Sequence, residues 1–414
     1  MIARFSAYGF LKNLQLFEPF LYIYFLSKGF SFFQIGILVS VREISVYIIE
    51  IPTGIFADLF GKKNSMILCF CSYIASFVVF GISSSFYSIA GAMAVFGIGE
   101  AFRTGTHKAI IMDYLDSEGI SDRKVHVYGY TRSWAKIGSA VSALAAAGLV
   151  FLCVKESDPQ YNIIFLASIV PYAAGLILMF TYPQDKPERK GAGIIALCLE
   201  HRKESLKALK KNTVLLLNST VFDGLFKVGR DFIQPIIKQA AVAAPLFAFA
   251  GVEKKNALLI GITYFLVSIL SAVCARYSGK FRDVFGRGVF GENILFVCAG
   301  ILYLGLALTV YTGMLWVTIF LFLLSVSLFN LRRPLLVSHV GDRVEKEQRA
   351  TVFSVESMLK TFIVALCAPV VGKAADKWGL YVIFVITGTL ILLLSFPLRF
   401  KNNGRPSGAG SIRA

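Results

Sequence analysis

Charged residues are scarce in this chain. Asp, Glu, Lys and Arg make up 16% of its 414 residues, whereas an average soluble domain contains about 25%. Hydrophobic residues reach 56%, phenylalanine alone accounts for 37 positions, and the mean hydropathy is +0.68. This balance is typical of a protein that lies in a lipid bilayer, and it does not suit a large soluble core.

Motifs for catalysis, metal binding and ATP hydrolysis are also missing. The four histidines are widely spread and no His-Glu-x-x-His occurs, which argues against a membrane enzyme. No Gly-x-x-x-x-Gly-Lys-Ser/Thr loop supports ATP-driven pumping. The seven cysteines show no Cys-x-x-Cys spacing, so neither a zinc site nor a disulfide framework is indicated. We therefore expect no metal and no cofactor.

Acidic residues are few beside the basic ones, which gives a net charge of +17. Nucleic-acid binding would need bases clustered with aromatic residues on a soluble face. Here the bases stand mostly between apolar runs, so we expect no nucleic-acid partner. The first apolar run contains Lys12 and Glu18 and lacks a small-residue cleavage site, which favours a membrane span over a signal peptide.

Twelve apolar segments are long enough to cross a bilayer, since a helical span needs about 20 mostly apolar residues. They are 5–27, 32–56, 65–83, 88–112, 127–152, 161–182, 213–237, 257–279, 289–311, 314–336, 350–372 and 378–398. The sequence thus predicts an all-α membrane protein with twelve transmembrane helices in two six-helix bundles. The predicted parts are an N-terminal bundle (1–182), a cytoplasmic linker with an amphipathic helix (183–212), a C-terminal bundle (213–400) and a cytoplasmic tail (401–414).

The distribution of bases predicts the orientation. If both termini are cytoplasmic, 23 Lys and Arg residues lie in the cytoplasmic loops and termini, and 7 lie in the opposite loops. Positively charged loops stay inside, so we expect a multi-pass protein of the cytoplasmic membrane with both termini in the cytoplasm.

One loop sequence recurs along the chain. Residues 54–63 read Gly-Ile-Phe-Ala-Asp-Leu-Phe-Gly-Lys-Lys, and residues 279–287 read Gly-Lys-Phe-Arg-Asp-Val-Phe-Gly-Arg. A looser copy at 372–379 keeps two glycines and the acid. The stretch resembles the signature loop of the major facilitator superfamily of membrane transporters. Three-helix units in inverted pairs would place the first two copies inside and the third outside. The fourth copy expected between spans 5 and 6 is not visible at 152–160.

The resemblance implies that this loop is a cytoplasmic latch, closed when the transporter faces outward. Glycine permits a tight approach or turn, and Asp58 would suit the positive end of span 3. The alternative is a charged turn that only sets topology. The predicted gating residues are Gly54, Asp58, Gly61, Lys62, Gly279, Asp283, Gly286 and Arg287.

Charges inside the spans mark the candidate site. An ionised group at mid-bilayer costs roughly 2.5–3.5 kcal/mol, so each needs a partner or a wet cavity. The resemblance implies that helices 1, 4, 7 and 10 line a central path. The alternative to a binding role is that these charges form ion pairs that lock the helices together. Four bases near the span ends are expected to extend their charged groups to the membrane surface: Lys108, Arg276, Arg332 and Arg333. The predicted substrate-binding or proton-coupling residues are Glu18, Arg42, Glu43, Glu50, Glu100, Arg103, His107, Asp223, Lys227, Arg230, Glu356 and Lys360.

These groups predict a proton-coupled secondary transporter for a small polar anionic or zwitterionic solute. Bases would hold a carboxylate or phosphate, and Glu43, Glu50 or Glu100 could carry a proton. His107 is either a titrating group or a packing residue. The alternative function is export of an amphipathic or cationic compound, although span 5 lacks the Gly-Pro element usual in drug–proton antiporters. We expect the solute, protons and the bilayer as partners of a monomer.

Overall fold

The computed structural model describes residues 1–120, 124–157, 159–183, 207–243, 251–285, 290–344 and 349–399, and no strand occurs in these ranges. The helices are α1 (Ile2–Lys12), α2 (Leu21–Ser27), α3 (Phe32–Phe60), α4 (Lys62–Ile82), α5 (Phe86–Arg103), α6 (Thr106–Ser117), α7 (Lys124–Cys153), α8 (Asn162–Phe180), α9 (Thr213–Asp231), α10 (Ile233–Ala243), α11 (Val252–Phe285), α12 (Phe290–Tyr311), α13 (Leu315–Arg343), α14 (Arg349–Trp378) and α15 (Tyr381–Ser395). A single 3₁₀ turn, Glu18–Phe20, precedes α2.

Eight of these helices are long and apolar enough to cross a membrane: α3, α4, α7, α8, α11, α12, α13 and α14. The shorter α15 is also apolar. Three further traverses are each built from two helices in line, namely α1 with α2, α5 with α6, and α9 with α10. Together they account for the twelve predicted segments.

The interruptions of these three traverses differ from the continuous spans that the sequence predicted. The first contains Pro19 in its 3₁₀ turn, the second contains Gly105 with φ of +78°, and the third lies at Phe232 between α9 and α10. Backbone that leaves the helix inside a membrane must be covered by protein or line a cavity. Broken helices therefore point to the interior of the bundle.

The first and third copies of the repeated sequence are mostly helical. We had expected α3 to end near residue 56, but it continues to Phe60 and only Gly61, with φ of +93°, makes the turn. In the third copy, α14 continues to Trp378 and Gly379 makes the turn with φ of +97°. In both copies the last glycine alone adopts the left-handed conformation that disfavours other residues. The second copy begins within α11, and its residues 286–287 lie outside the described ranges.

Two ends of the bundle can be distinguished: the terminal end, where α1 begins, and the opposite end, called the far end. The terminal end holds Arg4 and Lys63, which both bind backbone oxygens of residues 180–182. The far end holds Lys28, which donates to Ser84, and Asn162, which donates to the Gly81 carbonyl.

The two halves pack most tightly through α3 and α14. A Cβ at Gly36 would overlap the backbone of Ala368 and Pro369, and one at Gly372 would overlap Phe32. These contacts lie toward the far end. Gly54, nearer the terminal end of α3, has no atom within 4 Å of a Cβ position. Small residues let helices approach closely in membranes, so this part of the interface is closed at the far end and looser toward the terminal end.

Candidate functional site

A cavity of about 380 Å³ lies between the two halves, next to the interruptions in the first and third broken traverses. Eight predicted site residues line it: Glu18, Arg42, Glu43, Glu100, Arg103, Lys227, Arg230 and Lys360. Lys12 and Asp231 line it as well, so six bases face four acids. The cavity therefore carries a formal excess of two positive charges.

Glu100 is one of the three acids that the N-terminal half contributes to this cavity. It accepts a hydrogen bond from Arg103 at 2.6 Å and another from the Tyr73 hydroxyl, and Lys12 lies 3.8 Å away. The i, i+3 spacing in α5 places the first pair on one helix face. The Nε atom of Arg103 is buried and has no hydrogen-bond partner among the described residues.

Glu43 joins the two halves at mid-depth. Its carboxylate accepts from Arg42 at 2.8 Å in the same helix and from Lys227 of α9 at 2.6 Å. The side chain of Glu43 is only 4% exposed, and a buried acid requires such compensation. Lys227 therefore pairs across the interface and not with Asp223, its neighbour one turn earlier.

A second group of polar side chains joins the two halves, where the first and third broken traverses are interrupted. Arg230 bonds Asp231 at 2.8 Å and lies 3.7 Å from Glu18. Gln234 accepts from the backbone N–H of Tyr22 at 2.9 Å and donates to the backbone oxygen of Glu18 at 2.8 Å. The side-chain amide of Gln234 therefore satisfies backbone groups that the broken first traverse leaves free.

Asp223 and Glu356 lie outside the cavity wall, in a buried cluster between α9, α13 and α14. Arg333 binds both carboxylates, at 3.1 Å to Asp223. The partner of Glu356 is therefore an arginine from a neighbouring helix, and not Lys360, which lies one turn further along α14. Arg332 does not snorkel either: it is 1% exposed, donates to Asn218 and stacks on Phe222 with 4.1 Å between the guanidinium carbon and the ring centroid.

Glu50 and His107 have different surroundings. One carboxyl oxygen of Glu50 is buried without a hydrogen-bond partner among the described residues, and its neighbours are Ser357 and Lys360 of α14. His107 stacks on Tyr8 with ring centroids 3.6 Å apart, and its Nε2 lies 3.1 Å from the Tyr182 hydroxyl. His107 thus occupies the packing role that the sequence left open, and it lines neither cavity described here.

In the first copy of the predicted latch, the acid has no charged partner among the described residues. Asp58 is exposed near the C-terminal end of α3 and makes no ion pair with a described residue. Lys62 pairs instead with Asp113 of α6, and Lys63 donates to the carbonyls of Phe180 and Tyr182. In the second copy the surroundings of Gly279 and the side chain of Asp283, and all of Gly286 and Arg287, lie outside the described part of the chain.

At the far end, two carboxylates cap helices. The repeated sequence includes the first of them and not the second. Asp376, in the third copy, accepts hydrogen bonds from the backbone N–H groups of Phe32 and Phe33, both at 2.8 Å. Glu156, between α7 and α8, accepts from those of Glu253 at 3.0 Å and Lys254 at 3.1 Å. Each acid thus caps the first turn of a helix in the other half, where free N–H groups favour negative charge.

Glu156 supplies the joint that the missing fourth copy should provide. The glycine frame of the signature is absent around Glu156, so the repeated pattern does not reveal it. The cap itself needs only an acid opposite a helix N-terminus. Gln234 carries no charge, so the pattern of charges inside the spans does not reveal it.

Comparisons with known proteins agree with this architecture. A family model described as Major Facilitator Superfamily matches residues 2–364. Over 402 residues the chain is 20% identical to a Bacillus subtilis (strain 168) protein named an uncharacterized MFS-type transporter, YxaM, covering 94% of this chain and 93% of that protein.

Solved structures show the same fold. The crystal structure of the nucleoside transporter NupG matches with a TM-score of 0.75 at 15% identity, over 97% of this chain and 99% of that one. A D-xylose-proton symporter matches with a TM-score of 0.66 at 14% identity, over 96% and 95%. The chain belongs to the major facilitator superfamily and is a secondary transporter with twelve transmembrane helices in two six-helix bundles.

Proposed function

We propose that this transporter moves a small polar organic anion or zwitterion by alternating access, coupled to protons. The observation that carries the proposal is the excess of bases around the central cavity, six against four acids. A cavity with surplus positive charge favours an anion over a cation of the same size.

Two groups are available for the anion without breaking an existing ion pair. Lys360 lines the cavity and has no ion pair with a described residue. Arg103 also lines this wall, and its buried Nε, which has no hydrogen-bond partner among the described residues, would be brought to the ligand by a rotation of the side chain. Guanidinium and ammonium groups bind carboxylates and phosphates through charge-assisted hydrogen bonds, so these two residues would be the first contacts of the anionic group.

Glu50 is the acid that best suits proton coupling. Glu43 and Glu100 each face two cations already, so protonating either would disrupt an existing set of ion pairs. Glu50 has a carboxyl oxygen without a donor and lies beside Lys360. A proton on Glu50 would therefore alter the charge next to the proposed anion contact. Proton binding and anion binding would be linked in this way. The xylose transporter of similar fold is named a proton symporter.

The proposal also includes the orientation in the membrane and the division into domains. The terminal end would face the cytoplasm, as the base count predicts, and the structure would represent a state closed to the outside. Residues 1–182 and 213–400 would be the two moving bundles, joined by the cytoplasmic linker 183–212 and followed by a tail at 401–414.

Transport in liposomes tests the proposal. Purified protein would be reconstituted, and labelled organic anions, amino acids and cationic dyes would be offered with and without a pH gradient. We expect gradient-dependent movement of an anion or zwitterion. Movement that ignores the gradient would contradict proton coupling, and movement of cationic dyes alone would favour the export alternative.

Lys360→Gln gives the matched test of the anion site. It removes a cavity charge that no described ion pair uses, so folding should be retained. Anion transport should fall about tenfold or more, since one charge-assisted hydrogen bond contributes roughly 1.5–3 kcal/mol. Lys210→Gln, at an exposed position outside the cavity, is the control. Equal rates for the two variants would contradict the assignment.

A further inference from the structure

A second cavity of about 250 Å³ adjoins the first. The two share Gln15, Glu18 and Arg230 in their walls. The Glu18–Arg230 pair, 3.7 Å apart, therefore stands at the boundary between them. A volume below the roughly 300–1,000 Å³ of complete ligand sites suits one part of a ligand whose remainder lies next door.

The wall of the second cavity differs in chemistry from the first. Beyond the shared pair it contains a single charged residue, Lys136. Hydroxyl and amide groups take the place of ions: Ser139, Ser142, Ser268, Ser271, Asn13 and Asn330. Neutral hydrogen-bonding groups recognise neutral polar groups, so most of this wall suits an uncharged polar part of a ligand, and Lys136 is its one charged group outside the Glu18–Arg230 boundary.

Ser142 contributes an unpaired polar group to the second cavity. Its residue is 2% exposed, it lines the cavity, and its hydroxyl oxygen has no hydrogen-bond partner among the described residues. Buried hydroxyl groups in native proteins are nearly always paired. A polar group of a bound molecule in this cavity would complete the hydrogen bonding of Ser142.

Two of the other hydroxyls are arranged to accept. Ser139 donates to the Ala135 carbonyl at 3.3 Å, and Ser268 donates to the Tyr264 carbonyl at 3.0 Å. A hydroxyl that has used its hydrogen still offers lone pairs. Ligand O–H or N–H groups would therefore find acceptors in this wall.

Apolar aromatic side chains complete the wall of the second cavity. Phe226 and Phe329 stack on each other with centroids 4.4 Å apart, and Phe322, which is 2% exposed, lines the same wall. Ring edges also pack favourably against rings. The combination of hydroxyls with the edges of these aromatic side chains fits a ring that carries hydrogen-bonding substituents.

We propose that the substrate is an anion with a neutral hydroxylated or heteroaromatic ring, and that the ring occupies the second cavity while its carboxylate or phosphate occupies the first. This inference rests on the proposed anion transport. Sugar acids, sugar phosphates and nucleotides share this chemistry. The ligand would cross the Glu18–Arg230 boundary, so both residues would contact it near the link between ring and anion.

Binding measurements on the purified full-length transporter test the inference. The probes are glucuronate, glucose 6-phosphate and uridine monophosphate as ring-bearing anions, inorganic phosphate and acetate as anions without a ring, and glucose and uridine as rings without charge. We expect one ring-bearing anion to bind at least tenfold more tightly than either of its parts. Preference between the sugar and the uridine probes identifies the ring.

Two variants separate the cavities. Ser142→Ala should weaken binding of the preferred ring-bearing anion about tenfold and leave phosphate or acetate unchanged, whereas Lys360→Gln should weaken all anions. Ser142→Thr keeps the hydroxyl and should retain most of the affinity. Ring-bearing and ringless anions that bind equally, with no effect of Ser142→Ala, would overturn this inference and leave anion transport standing. Neutral rings that bind as tightly as their anions, with Lys360→Gln silent, would overturn both.

Discussion

Asp376→Asn should open the far end of the transporter. The Asp376 carboxylate accepts the N–H groups of Phe32 and Phe33 at 2.8 Å each, and these are the first two residues of α3. Asparagine retains one oxygen acceptor, so the change removes one charge-assisted hydrogen bond, about 1.5–3 kcal/mol. It also removes a negative charge at a helix N-terminus, about 0.3–1 kcal/mol.

Solvent reduces the combined effect, because the capping contacts are exposed. We therefore expect the lower part of the range, about 2 kcal/mol. That corresponds to a roughly 30-fold shift in the equilibrium away from the state closed at the far end.

The assay uses a cysteine at a contact that closure buries. Ser40 is 7% exposed and its hydroxyl donates to the Ala365 carbonyl across the α3–α14 interface. In a cysteine-free background, Ser40→Cys should react slowly with a membrane-impermeant maleimide added from the far side. Asp376→Asn should raise that rate roughly 30-fold, in line with the open population.

Glu118→Gln is the matched control, since it removes an exposed carboxylate at the terminal end. It should leave the alkylation rate within twofold. If Asp376→Asn also changes the rate less than twofold, the cap does not hold the far end closed and the reasoning fails.

Three further outcomes are expected. Glu50→Gln should abolish the dependence of transport on a pH gradient while solute exchange without a gradient continues, as measured by counterflow. Glu43→Gln should lower the melting temperature of the purified protein, since it leaves the half-buried Lys227 without its acid, at a cost below the roughly 3–5 kcal/mol of breaking a fully buried pair. Adding Lys227→Gln should recover part of the loss, and a further drop would contradict the pairing. Gly372→Val should reduce transport, because a side chain at this position meets the backbone of α3. Gly54→Ala should not reduce it, because the space around Gly54 is open. Equal effects of the two variants on labelled-solute uptake would refute the close-packing argument.

The sequence was sufficient for the coarse architecture because hydropathy and helix length are local properties. It could not place the interruptions of the broken traverses. Thr104 and Gly105 look like ordinary helix-interior positions in an apolar segment, and the break depends on what packs around them.

Pairing of charges was predictable only within one helix, and only where no other helix competes. Glu100 and Arg103 form the ion pair that their spacing allows. Glu356 and Lys360 have equally good spacing, yet Arg333 from α13 takes the acid. Which helix lies beside which is a long-range property, and it decided the partner in the second case.

The two caps at the far end are the same joint made twice. In each, a carboxylate of one half, from the last turns of α14 or from the segment between α7 and α8, completes the first turn of a helix in the other half. In a protein assembled from two identical half-chains, both joints would have the same sequence. Any substitution would then alter both joints at once. This single chain builds one with aspartate and the other with glutamate. The strength of each joint can therefore be adjusted separately, and the two sides of the closure need not release at the same moment.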